Sequence, residues 1–102
     1  MSYKTIARAI IRDVAGAYGI EPEDIRSATR TARVSDARAV VCLLLYAYLD
    51  LSGNEVAPLV GRTHAAVIYL ADKARNFFVQ PKSYKREIEL IDKLVERYGL
   101  AD

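Results

Sequence analysis

The stretch Leu51–Phe78, LSGNEVAPLVGRTHAAVIYLADKARNFF, decides the fold of this chain. Ser52 followed at the third position by Glu55 is the pattern of a capping box, in which a hydroxyl and a carboxylate each satisfy a free backbone N–H at a helix start. Gly61 tolerates the positive φ with which such a helix ends, and Thr63 can cap a helix that follows. The stretch therefore predicts two helices joined at one tight turn, the layout of a helix-turn-helix.

The first helix of this motif is predicted to begin near Gly53, and the second to run from about Thr63 to Phe78. At the helical repeat, the second helix has an apolar stripe predicted to face the core, formed by Val67, Leu70, Ala71, Ala74 and Phe78. Another face carries cations and hydrogen-bonding groups with little bulk near the helix start, namely Arg62, Ala66, Tyr69, Lys73 and Asn76. This face suits either approach to a nucleic-acid groove or simple exposure to solvent.

Length and composition predict a single folded domain over residues 1–102. The chain is long enough to bury a core but too short to add a nucleotide-hydrolysing domain. Hydrophobic residues make up 52% and charged residues 27%, which is typical of a globular protein and not of a disordered one. The formal net charge of +2 permits an anionic partner without requiring one.

The sequence offers little to catalysis. It contains no GxxxxGK[ST] phosphate loop and no GxGxxG turn, and its single His and single Cys are too few for a metal site. We therefore predict a protein that is not an enzyme and that has no cofactor and no metal. Cys42 lies in an apolar run and is predicted to be a buried, reduced thiol. No secretion signal and no membrane span is recognisable, so we expect a cytoplasmic, nucleoid-associated location and no membrane partner.

Helical periodicity recurs along the rest of the chain and predicts an all-α fold of about six helices. In addition to the two helices above, the predicted helices are Tyr3–Tyr18, Pro22–Ser27, Ala37–Leu49 and a last helix from about Ser83 to Tyr98. The run VVCLLLY within Ala37–Leu49 could also form a buried strand, but its length and its helix-forming neighbours favour a central core helix. The apolar stripe of the last helix suits packing on the bundle, or on a second copy or protein partner.

Positive charge is concentrated between Arg26 and Arg38. Four arginines face a single acid in this segment: Arg26, Arg30, Arg33 and Arg38 against Asp36. Its many Ser and Thr residues predict a loop leading to a capped helix, from which arginines reach outward. Such arginines beside a helix N-terminus suit phosphate binding. The alternative is a solvated basic loop whose arginines pair with acids such as Glu23 and Asp24.

Two motifs in a fixed order carry a family resemblance. The first has the spacing Ser27, Arg30, Val34 and Arg38 within EDIRSATRTARVSDAR, and the second has Gly61, Arg62, His64 and Val67 within LSGNEVAPLVGRTHAAVIYLADKA. Separated by an apolar helix, they resemble the C-terminal DNA-binding domain of the bacterial replication initiator DnaA, a compact helix-turn-helix domain of the Trp-repressor-like group. The resemblance covers residues 14–77.

This resemblance implies roles for individual residues on double-stranded DNA. The arginine at position 30 is expected in the minor groove and Arg38 on a phosphate, while the start of the second motif helix reads bases in the major groove. The implied base readers are Arg62, Thr63, His64, Ala65 and Ala66. Backbone amides between Ser52 and Asn54 are expected to meet phosphate, and Arg33, Tyr69 and Lys73 are further candidates for DNA contact.

The chain departs from the family pattern at the base-reading positions. Where the family has Asp-His-Thr-Thr, this chain has Thr63-His64-Ala65-Ala66, which removes an acceptor for a cytosine amino group and a threonine hydroxyl. The turn has one glycine instead of two, and Pro58 lies inside the first motif helix. We expect a DNA-binding regulator of replication or transcription that lacks the ATP-binding domain of an initiator and recognises a different site. The alternative is a protein-interaction module that keeps the fold but not DNA reading.

Overall fold

The structure of this protein is a computed structural model that describes residues 2–100. The described residues form six α-helices and no strand, as the sequence predicted. The helices are α1 (Tyr3–Tyr18), α2 (Pro22–Arg26), α3 (Ala32–Cys42), α4 (Gly53–Val60), α5 (His64–Arg75) and α6 (Lys85–Arg97). A π-helical segment, Leu43–Tyr48, continues α3, and a 3₁₀ turn, Asn76–Val79, continues α5.

The first two helices begin and end where their sequence signals predicted. Gly19 adopts a left-handed conformation with φ of 68° and ends α1. Pro22 opens α2, and the carboxylate of Asp24 accepts a hydrogen bond of 3.0 Å from the backbone N–H of Glu21. Local capping therefore fixes the corner between α1 and α2.

The central helix begins five residues earlier than the sequence predicted, at Ala32 instead of Ala37. The Thr31 hydroxyl accepts a hydrogen bond of 3.4 Å from the N–H of Val34 and so caps α3. Val34 of this added turn is buried in the core, so a tertiary contact supports it. The prediction of a loop leading to a capped helix is therefore confirmed, but the loop spans only residues 27–31 and the helix start was placed too late.

The centre of the molecule is the α3 helix and its π-helical continuation. Every residue from Ala37 to Leu45 is buried, which confirms burial on all sides, and the helical backbone of this run excludes the alternative of a strand. The N–H of Leu49 donates to the carbonyl of Leu44 at 2.8 Å, which is the five-residue spacing of a π-helix. Cys42 is fully buried, as predicted for a structural thiol.

The helix-turn-helix has the predicted caps at both of its helix starts. The Ser52 hydroxyl accepts from the N–H of Glu55 at 3.1 Å, and the Glu55 carboxylate accepts from the N–H of Ser52 at 2.9 Å. Gly61 ends α4 with φ of 62°, and the Thr63 hydroxyl accepts from the N–H of Ala66 at 3.1 Å. The α4 helix continues through Pro58 without a break. Gly61 alone supplies the left-handed residue of the turn.

The end of the second motif helix differs from its prediction. The regular helix stops at Arg75, and the 3₁₀ turn rotates the chain further per residue than an α-helix does. Phe77 is consequently buried and stacks on Tyr84 with ring centroids 4.2 Å apart. Phe78, which was predicted to be part of the core stripe, is 38% exposed, so that prediction is wrong.

The last helix packs on its own chain. Ile91 and Leu94 of α6 are buried, and its remaining stripe residues, Ile88, Val95 and Tyr98, pack against the same core. The contacts of α6 are with α1, the π-helical segment and the 3₁₀ turn. The apolar stripe of α6 thus packs on the core of its own chain, and contact with a second copy or a protein partner stays a prediction. None of the helices described between residues 2 and 100 has the length and apolarity required to cross a bilayer.

Candidate nucleic-acid interface

A buried arginine holds the loop of residues 27–31 in place. The Arg38 side chain extends from α3 beneath the loop, where its Nε donates to the carbonyl of Ile25 at 2.7 Å. Its Nη2 donates to three further carbonyls, those of Asp24 at 3.1 Å, Ser27 at 3.0 Å and Thr29 at 3.2 Å. One guanidinium therefore satisfies carbonyls at the end of α2 and along the loop, groups that a helix leaves free at its C-terminus.

The position of Arg38 differs from the outward reach that the sequence suggested. The residue is only 2% exposed, and it is the one charged residue found in the core of the described chain. Its Nε and Nη2 are committed to loop carbonyls. Arg38 therefore positions the loop, and the direct phosphate contact that the resemblance implies stays a prediction.

Two other arginines gather around Arg38. Burial lowers the pKa of Arg38, and the nearby positive charges of Arg62 and Arg30 lower it further. Arg30 and Arg33 are exposed, whereas Arg62 is half-buried and donates to the carbonyl of Gly61 at 3.0 Å. The structure thus brings the basic loop and the turn of the helix-turn-helix together, although they are about thirty residues apart in sequence.

No carboxylate neutralises this arginine cluster among residues 2–100. The ion pairs found there join Lys73 to Asp36, Arg75 to Asp72 and Arg97 to Asp13. The carboxylate of Asp24 is engaged in capping α2, so the predicted alternative, in which Glu23 and Asp24 pair with the loop arginines, is not what the structure shows. Unneutralised guanidinium groups on one surface favour an anionic ligand.

Close packing at Gly61 connects the turn to the basic loop. A Cβ at position 61 would lie 2.4 Å from the carbonyl oxygen of Arg26, at the end of α2. Only glycine permits both this approach and the left-handed backbone of the turn. The sequence predicted the backbone conformation at Gly61 but not the contact with Arg26.

The N-termini of α4 and α5 lie side by side. The His64 ring covers Gly53, where an added Cβ would lie 2.6 Å from Cδ2 and 2.9 Å from Nε2 of the ring. Ser52 and Asn54 are exposed beside it, at the start of α4. Two helix starts therefore present free amides on one surface, a geometry that favours phosphate. The contact between Gly53 and His64 was not predicted from the sequence, where its only signal was a glycine directly after a capping serine.

The outward face of α5 carries the remaining predicted site residues. Thr63, His64 and Ala65 are exposed, Ala66 is partly exposed, and Tyr69 is 71% exposed. Lys73, farther along the helix, pairs with Asp36 of α3 at 3.3 Å, so its charge is partly compensated. The start of α5 is thus accessible and carries the small side chains of Ala65 and Ala66. The described residues include no group of three potential metal ligands.

Comparison with known proteins relates this chain to one family. A sequence model described as "Bacterial dnaA protein helix-turn-helix" matches residues 7–73. The chain is 31% identical over 91 residues to the chromosomal replication initiator protein DnaA of Caldanaerobacter subterraneus subsp. tengcongensis, a match covering 89% of this chain and 20% of that protein. It is 33% identical over 81 residues to DnaA of Aliarcobacter butzleri, covering 78% of this chain and 18% of that protein. The chain spans about a fifth of the length of the curated relatives it matches.

Proposed function

The chain belongs to the bacterial DnaA helix-turn-helix family, and from this premise we propose that it is a sequence-specific double-stranded DNA-binding protein. In this proposal it has no enzymatic activity, acts at the nucleoid and regulates replication initiation or transcription by occupying DNA sites. The start of α5 enters the major groove while Arg30, on the loop, reaches the adjacent minor groove.

The observation that carries the proposal is the unneutralised arginine cluster beside the turn. Arg30, Arg38 and Arg62 are close enough for their charges to interact, and no ion pair found in residues 2–100 includes any of them. Repulsion between these like charges destabilises the folded protein, and a bound anion would offset that repulsion. A phosphate backbone, with one negative charge per about 1.7 Å of duplex, supplies that compensation.

The roles within the cluster follow from burial. Arg38 holds the loop through four carbonyls, so it fixes the backbone from which the exposed Arg30 side chain extends. A loop fixed in this way loses less conformational entropy when it enters a narrow groove. Arg30 and Arg33 are then available for contacts with DNA, and the amide of the exposed Asn54 is available for phosphate.

Base recognition is assigned to the first turn of α5. The Thr63 hydroxyl caps the helix through Ala66, and Ala65 and Ala66 present only methyl groups. Methyl groups suit contact with the thymine methyl, and no carboxylate is present there to accept from a cytosine amino group. We therefore infer that the site recognised by this protein differs from that of family members with Asp-His-Thr-Thr.

Duplex binding measured by fluorescence anisotropy over a range of salt concentrations tests the proposal. The logarithm of the affinity is expected to fall linearly with the logarithm of the salt concentration, by about 0.9 for each phosphate neutralised. Arg30→Ala is expected to weaken binding by about tenfold or more and to leave the melting temperature unchanged, because this side chain is exposed. Lys93→Ala, on the exposed face of α6, is the matched control and is expected to have little effect.

Selection from a random pool of duplexes would then identify the recognised sequence. Enrichment of one motif supports sequence-specific binding, and enrichment of the family's own site would contradict the inference drawn from Thr63, Ala65 and Ala66. Duplex affinity that is weak, insensitive to salt and unchanged by Arg30→Ala would refute DNA binding. That result would favour the alternative, a protein-interaction module with the same fold.

A further inference from the structure

A second basic surface lies between α1, α2 and α4. It is a groove of about 750 Å³, which we call the α1–α2–α4 groove. Its residues, contributed by all three helices, are Tyr3, Lys4, Arg8, Ile11, Arg12, Pro22, Glu23, Arg26, Asn54, Glu55, Pro58 and Leu59. The groove shares only Asn54 with the residues assigned above to DNA.

One bank of this groove is a row of cations. Lys4, Arg8 and Arg12 follow each other at four-residue spacing on the exposed side of α1, so their Cα atoms lie on one line with a rise of about 6 Å per step. Arg26, at the end of α2, is exposed on the opposite bank. None of the ion pairs observed in residues 2–100 includes any of these four side chains.

The floor of the groove is apolar. Ile11 is nearly buried, Leu59 and Pro22 are half-buried, and the exposed ring of Pro58 extends the same surface. Proline at position 58 also removes the N–H that would otherwise bond the carbonyl of Asn54. An apolar floor between charged banks favours a ligand that brings its own apolar side chains.

The two carboxylates in the groove do not neutralise the positive charge of the row of cations on α1. Hydrogen bonds from Ser52 lower the pKa of Glu55, and its Oε1 is engaged in the capping box at 2.9 Å from the N–H of Ser52. Glu23 is exposed on α2. Four cations therefore face two carboxylates, one of which is committed to a cap.

We propose that the α1–α2–α4 groove binds an acidic amphipathic helix of a partner protein. Acidic side chains at positions i, i+4 and i+8 of that helix match the spacing of Lys4, Arg8 and Arg12, because both helices rise equally per residue. Its apolar side chains, at the adjacent i+3 and i+7 positions, pack on the floor formed by Ile11, Pro58 and Leu59.

A protein helix fits this groove better than a second stretch of DNA does. A phosphate backbone offers no apolar surface to the floor, and Glu23 and Glu55 repel it. A helical peptide can pack apolar side chains on the floor and pair acidic side chains with the α1 row. It can also place a basic side chain opposite Glu23. Apart from Asn54, the residues of this groove are not among those assigned to DNA.

The test uses the full chain and a synthetic helical peptide of about 18 residues with Glu at three positions spaced by four and Leu on the adjoining face. Binding is measured by fluorescence anisotropy of the labelled peptide, and a peptide with Gln in place of each Glu measures the contribution of charge. The protein variant is the triple substitution Lys4→Gln, Arg8→Gln and Arg12→Gln. The matched control removes three exposed lysines outside the groove, by Lys82→Gln, Lys85→Gln and Lys93→Gln.

The acidic peptide is expected to bind the native chain and to bind the α1 triple variant about tenfold or more weakly, because three charge pairs are lost together. The control variant should keep native affinity, and Leu59→Ser should also weaken binding by removing part of the floor. Circular dichroism and thermal melting show whether each variant is folded. No binding of the acidic peptide, or equal binding of the Gln peptide, overturns the proposal. Duplex DNA affinity that falls in the α1 variant while peptide binding is unaffected would assign the row to DNA instead.

Discussion

Arg30 and Arg38 are eight residues apart and have different surroundings, which suit them to different roles. Arg30 is exposed on a loop, whereas Arg38 is 2% exposed and donates to four carbonyl groups. A buried guanidinium is stable only when its donors are satisfied, and here backbone oxygens satisfy them in place of a carboxylate. The positive charge is thus kept inside the protein, next to the surface proposed for DNA.

The planar fork of Arg38 is required at this position. Arg38→Lys would retain the charge but would carry all its donors on one nitrogen, so it could not replace both Nε, which donates to Ile25, and Nη2, which donates to Thr29. We expect the free energy of unfolding to fall by about 2 kcal/mol. Urea denaturation measures this loss, with the exposed Arg33→Lys as the matched control. Equal stability of the two variants would show that the loop does not depend on these bonds.

A substitution at Gly61 would have two costs, the strain of a left-handed backbone and the clash with a neighbour. Gly19 has the same backbone conformation without the neighbour, so comparison of the two positions separates these costs. Both glycines are left-handed, with φ of 62° and 68°, but an added Cβ would meet the Arg26 carbonyl only at Gly61. We expect Gly19→Ala to cost about 1–2 kcal/mol from backbone strain and Gly61→Ala to cost clearly more. Thermal melting of the two variants measures the difference. Similar melting temperatures would contradict the close packing of turn and loop.

At the scale of the element, helix capping and the proposed base recognition fall on one residue, Thr63, at the start of α5. The Thr63 hydroxyl accepts from the N–H of Ala66, so this side chain determines where the helix begins and lies beside the positions assigned to base reading. Other acceptor side chains can cap equally well, which leaves the base-reading chemistry free to change without loss of the fold.

Thr63→Asp tests this separation of capping from recognition. Aspartate also caps helices, so we expect the melting temperature to be nearly unchanged, while Thr63→Ala should lose about 1 kcal/mol. The new carboxylate should favour sites with cytosine at the contacted position. Selection of duplexes by the native protein and by the variant measures the change in preference. Enrichment of the same sequences by both proteins would show that position 63 does not read bases.

At the scale of the whole molecule, one core connects all the helices and makes stability depend on pH. Cys42 is completely buried in the centre of this core, and burial raises its pKa from 9.0 to about 12. The folded thiol therefore stays protonated at pH values where the unfolded thiol is ionised. Its contribution to stability is complete below pH 9 and is lost as the pH rises toward 12.

Cys42→Ala measures this contribution. Guanidinium denaturation in the presence of a reductant should show that the native protein is the more stable at pH 8, because alanine leaves a small cavity. The difference in stability should shrink between pH 9 and 12, by up to about 1.4 kcal/mol per pH unit. Burial also raises the pKa of Tyr18, which affects both proteins alike and cancels in the comparison. A difference independent of pH would contradict a buried neutral thiol.

Sequence alone determined the local features of this protein. Helix starts at Pro22, Ser52 and Thr63, and helix ends at Gly19 and Gly61, were predicted because caps involve only residues within one turn of each other. The two motifs also sufficed to identify the family, and the apolar run predicted the central helix. The assignment of individual residues to DNA stays a prediction.

Tertiary structure alone decided which of the predicted residues face inward. Arg38 turns toward carbonyls 9 to 14 residues away, and Phe77 replaces Phe78 in the core because a 3₁₀ turn interrupts the helical repeat. The meeting of Gly61 with Arg26 likewise joins distant segments. Helical periodicity and capping describe neighbours along the chain, whereas these contacts depend on how the helices pack, which no local pattern specifies.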